Sequence, residues 1–86
     1  PDTARAAAAE IHLNRGQLFA GQGQTGPALT DFNQALTLNP NNVLALYNRG
    51  NLRFTQKDAA GAITDFGRAV QLDPKFGKAF YGLGIA

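Results

Sequence analysis

The sequence predicts an all-α fold of antiparallel helix-turn-helix repeats, two of them complete and a third cut short within its first helix. Three observations lead there. Residues 9–42 laid over residues 43–76 without a gap match at twelve of 34 positions, where chance at ordinary residue frequencies gives about two or three. Apolar residues within each copy recur at helical spacing. Each copy ends on a proline, at Pro40 and Pro74, and the residue before a proline is turned away from helical geometry.

The first half of each copy reads as a helix, about residues 5–21 and 43–56. A Gly-rich break, Gln22-Gly23-Gln24-Thr25, follows the first, and Lys57-Asp58 follows the second. The second helix of the first copy carries the stripe Ala28, Leu29, Phe32, Ala35 and Leu36, and that of the second copy carries Ala62, Ile63, Phe66, Ala69 and Val70. These residues stand at i, i+1, i+4, i+7 and i+8, which places them on one face. Thr25 and Asp58 are the expected N-caps, and Pro27 falls in the first turn, where a missing N–H costs little. A third copy begins at Gly77 and puts Gly84 34 residues after Gly50.

Composition bounds the chemistry. With 86 residues there is room for one small core. At 44% hydrophobic and 16% charged, the chain is too apolar for a disordered segment. A net charge of +2, with five Arg and three Lys dispersed over both kinds of helix, outlines no nucleic-acid surface. No apolar run is long enough to span a membrane. Cys, Ser, Met and Trp are absent, which removes a cysteine or serine nucleophile and a thiolate metal site. A chain that lacks Met and stops inside an apolar run is expected to be a fragment.

His12 is the sole histidine and stands at a packing position, so it reads as structural, and no cofactor or metal is implied. Gly21-Gln22-Gly23-Gln24-Thr25-Gly26 superficially resembles a phosphate loop but lacks the preceding strand and the Lys-Ser/Thr ending, and reads as an inter-helix turn. Arg15 and Arg49 recur at one repeat position, and Asp31 and Asp65 at another. Because both partners recur together, the expectation is an Arg15–Asp31 and an Arg49–Asp65 ion pair across each helix hairpin.

The pattern of Gly, aromatic, Ala-x-x-x-Phe and Pro on a 34-residue period resembles the tetratricopeptide repeat. Gly16, Phe19, Ala28, Phe32 and Pro40 carry it in the first copy. Gly50, Ala62, Phe66 and Pro74 carry it in the second, and Phe80, Leu83 and Gly84 in the third. The family's Trp and Leu places are held by His12 and Arg15, then by Leu46 and Arg49, and Arg53 stands at the second copy's Tyr place. The resemblance implies a short right-handed α-solenoid in which Gly16 and Gly50 let paired helices approach closely.

It also implies a non-catalytic interaction scaffold whose first helices line a groove for an extended peptide or a partner helix. The groove residues would be Leu13, Asn14, Gln17, Ala20, Tyr47, Asn48, Asn51, Phe54, Lys78 and Tyr81. Asn14 and Asn48 recur at one position, and an amide can both donate to and accept from a peptide backbone. The family's carboxylate clamp is matched at Asn48 and Lys78, whereas Leu13, Gln17 and Gly82 replace its Lys, Asn and Arg. The alternative is self-association, by dimerisation or helix exchange, through a C-terminal edge formed by Phe66, Val70, Phe80, Leu83 and Ile85.

Overall fold

A computed structural model describes residues 2–75 of the chain and contains four helices: α1 (Asp2–Gly21), α2 (Thr25–Leu38), α3 (Val43–Thr55) and α4 (Ala59–Leu72). The fold is all-α, with no strand among the described residues. Helix α1 packs on α2 and α3 on α4, each pair forming an antiparallel hairpin, and α2 against α3 joins the two. The expected helices are all present. The first begins three residues earlier than its apolar pattern predicts, because Asp2-Thr3-Ala4 continues into an Ala-rich stretch of high helix propensity.

Both hairpin turns close in the same way. After α1, the N–H of Gln24 bonds the carbonyl of Phe19 and that of Gly23 bonds Ala20. After α3, Asp58 bonds Arg53 and Lys57 bonds Phe54. This capping arrangement needs one residue in the left-handed region, supplied by Gly23 at φ 76° and, 34 residues later, by Lys57 at φ 68°. The glycine-rich segment at residues 21–26 is thus a helix-capping turn. Asp58 is an N-cap, accepting from the N–H of Gly61 at 2.9 Å. Thr25 is not: the cap position of α2 is Gln24, which makes no side-chain bond there, because the capping turn after α1 runs through Gln24 and the helix starts at Thr25. At α3 the cap is Asn42, accepting from Ala45 N–H at 3.1 Å.

The core sits where the expected small residues allow it. A Cβ on Gly16 would stand 2.6 Å from Phe32 Cε1, and one on Gly50 2.8 Å from Phe66 Cε1. In each hairpin the aromatic ring of the second helix therefore lies on bare backbone of the first. Phe32, Phe66, Ala28, Ala35, Ala62 and Ala69 are all buried. The stripe Ala9, Leu13, Gly16 on α1, at i, i+4 and i+7, faces α2.

Two expectations fail here. Leu13 is 2% exposed and joins the core, so its side chain does not lie on an exposed groove face; it falls on the α1 stripe that meets α2. Phe66 is fully buried, its ring 6.0 Å from that of Tyr47 and pressed onto Gly50, so it is not part of an open edge. Val70 is half-buried. Lys78, Phe80, Tyr81, Leu83 and Ile85, with the third copy's helix, lie outside the described residues.

Candidate functional site

The α1–α2 and α3–α4 hairpins lean together so that α1 and α3 flank a cleft of about 370 Å³. Gln17 and Ala20 line it from α1, and Asn48, Asn51, Leu52 and Thr55 from α3. Gly23 and Thr25 stand at one end, and part of Phe32 forms the floor. Of the sequence-predicted groove residues, Gln17, Ala20, Asn48 and Asn51 converge on this cleft. Asn14 is exposed on α1 without lining it, Tyr47 is half-buried, and Phe54 is 38% exposed beyond it. Leu52, Thr55 and Gly23 line it too. Leu52 and Thr55 follow Asn48 at i+4 and i+7, and that spacing is the sequence signal that would have found them.

The cleft is built of neutral polar groups. Asn48 Nδ2 is shut off from solvent and has no hydrogen-bond partner, and a buried donor left unmade carries a desolvation cost of about 1–3 kcal/mol. Thr55 Oγ1 donates to the Asn51 carbonyl at 3.0 Å. No described cation lines the cleft.

The arginines nearest to it are committed elsewhere. Arg15 grips Asp31 through Nε at 2.9 Å and Nη2 at 2.7 Å, and Arg49 grips Asp65 at the same two distances. Both expected pairs are thus bidentate, the stronger form of such contacts. Two further arms were not legible. His12 Nδ1 stands 3.1 Å from Asp31 Oδ1 and, facing a carboxylate that only accepts, carries the proton. Arg53 Nη1 donates to Asp65 Oδ2 at 3.1 Å. Each buried aspartate is therefore held by two bases, one turn before Arg15 in the first copy and one turn after Arg49 in the second. The Arg15 hydrogen bond holds the Asp31 carboxyl below the ordinary aspartate range. Burial opposes it, and the His12 bond and the two nearby charges reinforce it. The same bond raises Arg15 above its usual value.

Among the described residues no group of three or more His, Cys, Asp or Glu could hold a metal ion, and no helix is long and apolar enough to cross a membrane.

Stacked helical hairpins with a cleft along their first helices define a helical-repeat protein. The family model described as tetratricopeptide repeat matches residues 13–75, and the chain belongs to that family. Its fold is similar to that of two solved structures. One is the second TPR of Spaghetti (RPAP3) bound to the HSP90 peptide SRMEEVD, at 23% identity and a TM-score of 0.92, covering 98% of this chain and 77% of that one. The other is the first TPR of Spaghetti (RPAP3) bound to the same peptide, at 25% identity and a TM-score of 0.90, covering 93% of this chain and 64% of that one. This chain thus spans less than two thirds of the latter's length. No curated protein matches the chain.

Proposed function

We propose that the chain is a non-catalytic protein-interaction scaffold that holds an extended, uncharged peptide segment in the cleft between α1 and α3. The observation that carries the reading is the buried, unpartnered Asn48 Nδ2 on the wall of that cleft. A small rotation of the Asn48 side chain would turn Nδ2 into the cleft, where a peptide carbonyl would supply the missing acceptor. Gln17, Asn51 and Thr55 add amide and hydroxyl groups suited to main-chain recognition, and Ala20, Leu52 and Phe32 add an apolar floor.

Membership of the family and the likeness to two peptide-bound structures support the reading. The peptide they hold is acidic and ends in a carboxylate. Here Leu13 is buried, Gln17 is neutral, and Arg15, Arg49 and Arg53 are each paired with an aspartate. A groove without a described cation favours an internal, neutral segment over such a tail.

The test is to pan a random peptide library on the chain and titrate the selected peptides into the wild type and Asn48→Ala. Loss of one backbone hydrogen bond of about 1.4 kcal/mol weakens binding about tenfold. Equal affinity for both proteins would remove the cleft from consideration. SRMEEVD itself should bind no better than its C-terminally amidated form.

A further inference from the structure

The duplication makes each residue of α1 comparable with the residue 34 places later in α3, and three such pairs differ sharply in exposure. In α3, Ala45 and Leu52 are buried at 0% and 9%, while their counterparts in α1, Ile11 and Leu18, are 64% and 62% exposed. Between them lies an arginine in each helix. The Arg49 side chain is 19% exposed and that of Arg15 is 54% exposed.

The difference has one structural source. Helix α3 is covered on this face by α2, and α1 has no such neighbour among the described residues. At the α2–α3 contact, Arg49 Nη1 donates to Asn33 Oδ1 at 3.0 Å. Leu29 and Leu36 flank Asn33 at −4 and +3, as Ala45 and Leu52 flank Arg49. Leu36, Ala45 and Leu52 belong to one core cluster, with Leu29 packed against it. On α1 the corresponding apolar pair is larger than on α3. Arg15 spends Nε and Nη2 on Asp31, and its Nη1 finds no acceptor among the described residues.

We propose that the outer face of α1, formed by Ile11, Arg15 and Leu18, docks an amphipathic helix of a partner protein, one with two large aliphatic residues seven positions apart and a carboxamide between them. The covered face of α3 is the template for this face, which fixes the partner's chemistry: the aliphatic pair lies on Ile11 and Leu18, and the carboxamide oxygen accepts from Arg15 Nη1. A preceding helix joined as α2 is joined to α3 does not fit. That turn occupies residues 39–42, and residues 5–8, in register with it, are helical. The face is separate from the α1–α3 cleft, which Ile11, Arg15 and Leu18 do not line.

The probe is a peptide with the sequence of α2, Thr25–Leu38, held helical by a side-chain cross-link between positions 30 and 34, both exposed in the chain. Titrated into the ¹⁵N-labelled 86-residue chain, it should shift amide signals centred on Ile11, Arg15 and Leu18. Leu18→Glu, at a side chain 62% exposed in the free chain, should weaken binding by roughly tenfold or more, because a carboxylate would be buried against the peptide's leucines. A peptide with Asn33→Leu should also bind more weakly, with the Arg15 side-chain signal unshifted. No binding at millimolar peptide whose helicity is verified by circular dichroism would overturn the proposal. So would shifts centred on another surface, or an affinity that Leu18→Glu leaves unchanged.

Discussion

One substitution, glycine to alanine, should change sign between three helix positions. In a helix interior it gains about 1 kcal/mol from propensity alone, and Gly16, Gly50 and Gly67 all have backbone angles that alanine accepts. At Gly67 a Cβ meets nothing within 4 Å, so Gly67→Ala should stabilise by up to about 1 kcal/mol. At Gly16 it would stand 2.6 Å from Phe32 Cε1 and 2.8 Å from Cδ1, about 1 Å short of an ordinary carbon contact. Phe32 is 1% exposed and cannot swing into solvent. Overpacking of this kind costs about 1–3 kcal/mol, and with a confined ring the upper end applies, leaving a net loss of about 1–2 kcal/mol. Gly50, whose nearest contact is 2.8 Å from Phe66, should lose less. Urea titrations followed by far-UV circular dichroism read all three. The order of stability should be Gly67→Ala, wild type, Gly50→Ala, Gly16→Ala. A Gly16→Ala chain as stable as the wild type would refute the argument, and Phe32→Leu should relieve part of its cost in a double-mutant cycle.

Asp65→Ala leaves two guanidinium groups without their buried carboxylate and should destabilise by about 3 kcal/mol in the same titrations. Because Asp31 has its carboxyl lowered by Arg15, it contributes stability that is full above the ordinary aspartate range and is lost as pH falls through the lowered folded-state value. Melting temperature between neutral and strongly acid pH should show that loss, and Asp31→Asn should flatten it. Asn42→Ala and Asp58→Ala each remove a side-chain cap and should cost about 1 kcal/mol, whereas Thr25→Ala should cost far less in thermal melts. Lys57→Gly should stabilise by about 1 kcal/mol by relieving a left-handed backbone that Gly23 already accommodates in the first copy.

The repeat made much of the fold legible, because duplication turns a single residue into a paired observation. Arg15–Asp31 and Arg49–Asp65 could be read from the sequence since both members recur, and Gly16 with Phe32 likewise. Features that occur in one copy only were hidden. Arg53 has Phe19 as its counterpart and His12 has Leu46, so the second base on each aspartate has no echo. Leu13 was misplaced for a different reason. Helical spacing gives a face but not its direction, and α1, packed on fewer neighbours than α3, presents a narrower buried stripe into which Leu13 falls. In the cleft, the amides at 17, 48 and 51 were found as polar residues on first helices, while Asn14, though it repeats with Asn48, lies outside it. Repetition in sequence does not guarantee equivalent surroundings at the end of a stack.

The spacing of the cross-helix bonds also bears on how the chain finds its structure. Both Arg–Asp pairs and the Arg49–Asn33 bond join residues 16 apart, and Arg68 reaches back only 27 residues to Asn41. Contacts this local close short loops at small entropic cost, so the chain should fold within milliseconds or faster. With packing confined to each hairpin and to the contact between adjacent hairpins, unfolding should begin at an end and travel inward. The backbone amides of α2 and α3, the inner helices of the four described, would then be the last to exchange their hydrogens, and those of the N-terminal turns of α1 the first.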